Sequence, residues 1–225
     1  MIEELHLVCV CRRDEAFLES FLVGWSAVWG RSGAKLVLAS DVLAPVEGEY
    51  GLEVIDLDWP RLGPIAAGVV RTFQEALDRW PAEWVFKHDV DMVHIHKGWW
   101  RPEVGHRFGG VRNFNRMWPV YGGCWGMQAE LMQALDSECG WYDEPYEDVA
   151  ISRAVLEAVG EEGIYYASTS PRERSALRGA GSLARHRDEW GPECGMLHSG
   201  EHGKTAAGRL KSLEWQRAAV AALYG

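Results

Sequence analysis

The sequence lacks the features that mark a membrane-spanning protein or a secreted, disulfide-rich one. It has no uninterrupted apolar run of about 18 residues, so no spanning helix is expected. Its first residues, Met1 to Leu5, are acidic rather than basic, which is not typical of a secretory signal peptide. The five cysteines are scattered and lack zinc-finger spacing, which indicates neither a disulfide framework nor a structural zinc site. We therefore expect a cytoplasmic protein.

Positive charge is also in short supply. The chain has 23 Lys and Arg residues against 33 Asp and Glu residues, which gives a formal net charge of −10. This balance would repel a nucleic acid unless one face were strongly basic, so a nucleic-acid partner is not expected. The 225 residues are enough for one good-sized α/β domain with a substantial core.

The order of apolar segments in the first half predicts a nucleotide-binding α/β sheet. Strands are predicted over residues 5–11, 34–39, 52–56 and 84–87, and helices over residues 14–29 and 63–79, with Asp14 as the N-cap of the first helix. This alternation is typical of a parallel sheet, which binds ligands beyond the carboxyl ends of its strands. Arg12, Asp41 and Asp89 follow three of these strands, so they are expected at that edge.

The second half is predicted to contain shorter strands, over residues 105–111, 120–127 and 164–167, and helices over residues 129–135, 146–159 and 205–223. The last helix is expected to bury Leu210, Leu213 and Ala218. Residues 168–195 are polar, rich in arginine and weakly periodic, which favours a long functional or disordered loop.

Two carboxylates, Asp89 and Asp91, follow the apolar strand at 84–87. Positions two apart on a strand point the same way, so the two acids are expected to face one site, about 6–7 Å apart along the strand. One acid could then bind a hard cation while the other reaches a neighbouring hydroxyl. The alternative is that both lie in a solvated turn and bind nothing.

Three segments in a fixed order resemble a known enzyme group. They are Lys87-His-Asp-Val-Asp-Met92, Tyr121-Gly-Gly-Cys-Trp-Gly-Met-Gln-Ala-Glu-Leu131 and Tyr146-Glu-Asp-Val-Ala-Ile151. Together they resemble GT-A-fold glycosyltransferases, most closely the Fringe-like and β-1,3-glycosyltransferase group, over roughly residues 5–200. The chain departs from the eukaryotic members in lacking their membrane anchor and cysteine pattern, and it is shorter.

The resemblance implies an α/β fold of GT-A type, with a mixed central sheet flanked by helices in a single domain. The nucleotide-binding half would cover about residues 1–97 and the acceptor-binding half about residues 98–225. The implied activity is the metal-dependent, inverting transfer of a sugar from a nucleotide diphosphate, with UDP the expected nucleotide, to a hydroxyl of a glycan or other acceptor. The alternatives are a nucleotidyltransferase or metal-dependent phosphohydrolase, and a non-catalytic module that binds a sugar or nucleotide.

The resemblance implies that Asp91 is a direct ligand of the metal and that Asp89 contacts the ribose or a metal-bound water. His198 is the expected third ligand, with His202 as its competitor, and an imidazole ligand favours Mn²⁺ over Mg²⁺. His88, His94 and His96 suggest a zinc site at first sight, but packing or a rim position suits them better because no further ligand matches.

For catalysis, Asp148 matches the family's base, in the first turn of a helix where the dipole favours a carboxylate. Glu147 diverges from it by about 100° and would orient the acceptor or the base. Both acids could instead merely cap the helix.

The remaining candidates are binding residues. We expect nucleotide-sugar contacts from Arg12, Asp41, Arg71, Lys87, Asp89 and Lys204, and acceptor contacts from Trp118, Gly122, Gly123 and Trp125. Core packing is the alternative for at least one of the two tryptophans, and a tight strand connection is the alternative for the glycines.

Overall fold

The computed structural model describes residues 2–10, 12–40, 53–56, 65–112, 120–136, 146–167, 196–198 and 205–225. Within them, the strands are β1 (Ile2–Val10), β2 (Lys35–Ser40), β3 (Glu53–Asp56), β4 (Ala82–Asp89), β5 (Met92–His94), β6 (Phe108–Arg112), β7 (Val120–Gln128), β8 (Ile164–Ala167) and β9 (Met196–His198). The α-helices are α1 (Leu18–Trp29), α2 (Ile65–Arg79), α3 (Ala129–Ala134), α4 (Glu147–Val159) and α5 (Ala206–Tyr224).

Seven of the strands form one mixed sheet in the order β3-β2-β1-β4-β7-β6-β8. Strands β1 to β4 pair in parallel, as the alternation of strands and helices in the first half predicts. Strand β7 then runs antiparallel to both β4 and β6. The mixed α/β sheet expected of a GT-A fold is therefore confirmed.

The chain forms two compact units that alternate along the sequence. Unit 1 consists of Met1–Arg12, Gly33–Asp89 and Pro102–Tyr166, and unit 2 of Arg13–Ser32, Val90–Arg101 and Ala167–Gly225. Each unit takes residues from both of the predicted halves. The single-domain division into two functional halves stays a prediction.

Unit 1 contains the seven-stranded sheet and the larger apolar core. Strand β1 is buried along most of its length, as a central strand of a parallel sheet should be. Its Leu5 and Leu7 belong to one core cluster with Val85 of β4, Phe73 of α2 and Trp125 of β7. This packing fixes the carboxyl end of β4, where the first acid of the predicted pair lies.

Unit 2 is built around the antiparallel pair β5–β9 and the helices α1 and α5. The core of α5 is formed by Trp215, Ala219, Val220 and Leu223 together with Val93 of β5. None of the helices in the described part of the chain is both long and apolar enough to cross a membrane.

Two local predictions were wrong. Asp14 does not cap α1, because that helix begins only at Leu18, after a 3-10 turn over Arg12–Phe17; Asp14 instead forms an ion pair with Arg209. Leu210 and Ala218 are exposed, Leu210 by 57%. The buried face of α5 includes Ser212, Trp215, Gln216, Ala219 and Leu223. The prediction chose a different face because it counted apolar residues only, and Ser212 and Gln216 are polar.

Candidate active site

The carboxyl end of β4 carries a buried ion-pair cluster, formed by Lys87, Asp89 and Glu147. Lys87 and Asp89 lie two positions apart on the strand and so share a face, and Lys87 Nζ is 2.5 Å from Asp89 Oδ1. The same Nζ is 3.3 Å from Glu147 Oε2, at the first residue of α4. The side chains of Lys87, Glu147 and Asp89 are 3%, 13% and 39% exposed, so Asp89 is the member that solvent or a ligand can reach.

The two carboxylates determine the charge state of Lys87. Burial alone would lower the pKa of Lys87, but the negative charges of Asp89 and Glu147 outweigh it and hold that pKa well above its usual value. The ammonium group therefore stays charged, and with both acids ionised the cluster has a net charge of −1. Such a cluster can neutralise part of a bound cation or donate to it an oxygen of Asp89.

Glu147 is held from two sides. Its pKa is raised, because burial disfavours the carboxylate more than the nearby Lys87 favours it. Trp125 Nε1 donates a hydrogen bond to Glu147 Oε1 at 3.2 Å. The neighbouring thiol of Cys9 has a raised pKa, again mainly through desolvation, so it remains neutral. Glu147 is thus an oriented carboxyl group with a strengthened hold on its proton.

The structure brings Glu147, rather than Asp148, into contact with Lys87. Both acids lie in the first turn of α4, as predicted. Their side chains point in different directions, because adjacent residues of a helix diverge by about 100°. The carboxylate of Asp148 accepts a hydrogen bond from the backbone N–H of Val149 at 3.0 Å. Sequence reasoning missed the Lys87–Glu147 contact. A lysine inside an apolar strand was the available signal, since lysine is almost never fully buried unless it is paired.

The strand geometry predicted for Asp89 and Asp91 was wrong. Strand β4 ends at Asp89, Val90 and Asp91 form a turn, and β5 starts at Met92. The two-residue repeat of a strand therefore does not extend to Asp91. Asp91 is half-buried, at the start of a segment that pairs with β9.

His198 lies in β9, and its predicted metal role stays a prediction. In the β5–β9 pair the Cα partner of His198 is Met92, the residue that directly follows Asp91. Paired strands lie about 5 Å apart, so this register brings the backbone of His198 next to the acidic turn. His202, its competitor, lies outside the described residues.

Four of the other predicted binding residues lie in described elements. Arg12 begins the 3-10 turn that follows β1, and Arg71 is exposed on α2. Gly122 and Gly123 lie in β7, where Gly123 is buried. Asp41, Trp118 and Lys204 lie outside the described residues.

Trp125 belongs to the core rather than to an open surface. Its ring packs against Phe73 and Phe108, with centroids 5.5 and 5.9 Å away, and the side chain is buried. It therefore offers no free face to a sugar in this conformation, and the core-packing alternative fits it. Its indole N–H instead orients Glu147.

The histidines near the acidic turn have packing partners. His88 Nε2 lies 2.9 Å from His6 Nδ1, and His88 Nδ1 lies 3.3 Å from Cys124 Sγ, all three side chains being buried. His94 is buried and accepts a hydrogen bond from Trp29 Nε1, whereas His96 is exposed and accepts one from its own turn. Packing for His94 and a rim position for His96 agree with the sequence-based interpretation.

Several solved glycosyltransferase structures share this arrangement of strands and helices. A glycosyltransferase involved in glycosylation of the major capsid of PBCV-1 aligns with a TM-score of 0.58 and 11% identity, over 96% of this chain and 98% of that one. The galactosyltransferase LgtC, solved with donor and acceptor sugar analogues, aligns with a TM-score of 0.60 and 10% identity, over 96% and 95%. The glycosyltransferase GlyE of Streptococcus pneumoniae TIGR4 aligns at 0.54 and 10%, over 96% and 60%.

These likenesses show that the chain has the GT-A glycosyltransferase fold. At 10–12% identity they concern the fold alone, and they do not confirm the Fringe-like group that the three segments resemble. No family model matches the sequence, and a search of curated proteins gives no significant match either.

Replacing Lys87 by Met should expose the dependence of the site on its buried cation. Removing one partner of a buried ion pair costs about 3–5 kcal/mol, and because Asp89 is partly screened by solvent we expect about 3 kcal/mol. The free energy of unfolding from denaturant titration measures the loss. Lys35→Met is the control, since its pair with Glu53 at 3.6 Å is far more exposed. A second change, Glu147→Gln, should restore part of the loss; equal effects of Lys87→Met and Lys35→Met would contradict the buried pairing.

The raised pKa of Glu147 predicts a pH dependence that Glu147→Gln removes. The folded protein holds this proton more tightly than the unfolded chain, where the ordinary value is 4.5. The resulting stabilisation is complete below that pH and is lost as the pH rises through the folded pKa. The free energy of unfolding of the wild type minus that of Glu147→Gln should therefore decrease above pH 4.5, measured by denaturant titrations across a pH series. A difference that increases with pH would mean that the attraction of Lys87 exceeds the effect of burial.

Proposed function

We propose that this protein is a metal-dependent, inverting glycosyltransferase. It would transfer a sugar from a nucleotide diphosphate, with UDP as the expected nucleotide, to a hydroxyl group of a glycan or another acceptor. The observation that carries the proposal is the Lys87–Asp89–Glu147 cluster at the carboxyl end of a central strand in a GT-A fold. Ligands of α/β sheets bind at this edge of the strands.

The donor set around the acidic turn suits Mn²⁺ or Mg²⁺. Carboxylate oxygens suit both ions, and an imidazole nitrogen favours Mn²⁺. Asp91 and His198 would hold the cation, and Asp89 would contact the ribose or a metal-bound water. The register that pairs His198 with Met92 supports this choice. When bound, the cation supplies neutralisation of the negative charge that develops on the diphosphate leaving group.

Side chains of the protein would accept the proton and orient the reacting groups. Asp148 would accept the proton of the acceptor hydroxyl as its oxygen attacks the anomeric carbon and the bond to the diphosphate breaks. Glu147, fixed by Lys87 and Trp125, would orient the acceptor or the base. Because Lys87 is buried between two carboxylates, we assign it to holding Asp89 in place rather than to direct contact with the nucleotide.

The other binding candidates complete the proposal. Basic groups for the phosphates would come from Arg12, Arg71 and Lys204, and Asp41 would contact the nucleoside. Acceptor contacts would come from Trp118 and from the backbone at Gly122 and Gly123, whereas Trp125 would act through Glu147.

UDP together with Mn²⁺ should raise the melting temperature, and Asp91→Asn should abolish the shift. A ligand at about 100 times its Kd stabilises the folded state by about 2.7 kcal/mol, which is readily measured by thermal unfolding. Glu157→Gln, an exposed acid on the same protein, is the control and should keep the full shift. If the wild type showed no shift with any of the common nucleotide diphosphates and Mn²⁺, the proposal would have to be abandoned.

Asp148→Asn should retain donor binding but lose transfer. General-base catalysis contributes about 10²–10⁴-fold, so the transfer rate should fall by at least about 10² while the UDP-dependent thermal shift persists. NMR of the product should show inversion at the anomeric carbon in the wild type. Retention of the anomeric configuration in the wild type, or normal turnover by Asp148→Asn, would show that Asp148 is not the general base. Pyrophosphate as the product in place of UDP would indicate a nucleotidyltransferase.

A further inference from the structure

A buried amide on the last helix holds the acidic turn by its backbone. Gln216 of α5 is 0% exposed, and its Nε2 donates to the carbonyl oxygens of Val90 at 2.9 Å and Met92 at 3.2 Å. Val90 and Met92 are the residues on either side of Asp91. One side-chain amide therefore holds the peptide group that precedes Asp91 and the peptide group between Met92 and Val93.

Most of the buried residues on the same helix as Gln216 are apolar, with Ser212 as the polar exception. Its helix neighbours Trp215, Ala219 and Val220 are buried against Val93, in the small core of unit 2. A polar side chain is unfavourable in such a place unless its hydrogen bonds compensate for the loss of water. An apolar residue would fill this position more easily, so the amide is best explained by what it binds.

The segment is held from a second direction by strand pairing. Met92, Val93 and His94 pair with His198, Leu197 and Met196 of β9. Asp91 therefore lies directly between a strand pair on its C-terminal side and the Gln216 bond to Val90 on its N-terminal side. Because residues on both sides of Asp91 are anchored, the backbone position from which its side chain extends is restricted.

We propose that Gln216 is a positioning residue for Asp91, acting through the backbone of the turn to set the geometry of the cation and nucleotide ligand. This inference rests on the proposed function, because it gives Asp91 the ligand role assigned there. Residues that orient a metal ligand from behind affect metal affinity by about 10–100-fold when they are replaced. Gln216 would not contact the cation or the nucleotide. Its effect on cation affinity would act entirely through the position of Asp91.

The chain offers a matched control. Gln74 of α2 is also a glutamine whose Nε2 donates to two backbone carbonyls, those of Met132 at 3.2 Å and Leu135 at 2.9 Å. Gln74 lies in unit 1, and its two hydrogen bonds hold the C-terminal end of α3 rather than the acidic turn. Gln216→Met and Gln74→Met thus each replace an amide that donates to two backbone carbonyls with an unbranched apolar side chain of similar length. The bonds of Gln216 are buried and those of Gln74 are partly buried.

The experiment titrates Mn²⁺ at fixed UDP and follows the melting temperature of each full-length variant. Both variants should lose stability in the absence of ligand. Gln216→Met alone should need on the order of tenfold more Mn²⁺ for the half-maximal UDP shift, whereas Gln74→Met should stay within about twofold of the wild type. Should Gln216→Met fail to fold, Gln216→Asn, which keeps the amide but shortens its reach, is measured against the same tenfold criterion.

The possible outcomes test the proposed function and the positioning role of Gln216 separately. A wild type that shows no Mn²⁺-dependent UDP binding overturns the proposed function. A wild type that binds, together with a Gln216 variant whose Mn²⁺ requirement is unchanged or rises no more than that of Gln74→Met, overturns the positioning role and leaves the proposed function intact.

Discussion

The contact on which the site depends is that of the Lys87 ammonium with the carboxylates of Asp89 and Glu147. A buried ammonium group is unstable without a nearby opposite charge. The folding of the end of β4 and of the start of α4 is therefore coupled through Lys87. The salt bridges join a strand end to a helix start that lies far along the chain. They also leave Asp89 as the part of the cluster that faces outward, which is the arrangement a ligand-binding carboxylate needs.

Local patterns in the sequence were enough to predict most of the elements. The strand over 164–167 and the helices α2 and α4 were found within two residues, because apolar period and flanking Pro or Gly are local signals. The mixed character of the sheet was expected from the family resemblance rather than from periodicity, and the position of the antiparallel strand, β7, was not predicted. The exposed face of α5 was mispredicted, because Gln216 and Ser212 occupy its buried stripe and a count of apolar residues passes over them.

The candidate site was harder to predict because its contacts join distant parts of the chain. The sequence placed Asp89 at a strand end and Glu147 in a first helical turn. The position of Lys87 inside an apolar strand indicated that it would be paired, but not that Glu147 would be its second partner. Trp125 shows the same limit: a tryptophan near a glycine-rich segment suggests a sugar platform, yet Phe73 and Phe108 cover it. Its contribution is to connect the core to the carboxylate of Glu147, so that packing and chemistry share one side chain.

The row of buried groups formed by Cys124, His88 and His6 has a consequence for the protons within the sheet. Burial raises the pKa of the Cys124 thiol well above its usual value, so the sulfur, 3.3 Å from His88 Nδ1, keeps its hydrogen. On its other side, His88 Nε2 lies 2.9 Å from His6 Nδ1. A hydrogen bond between these two nitrogens has one hydrogen between them, so the tautomer of one ring restricts that of the other. The proton positions of β7, β4 and β1 are thereby coupled through three buried side chains.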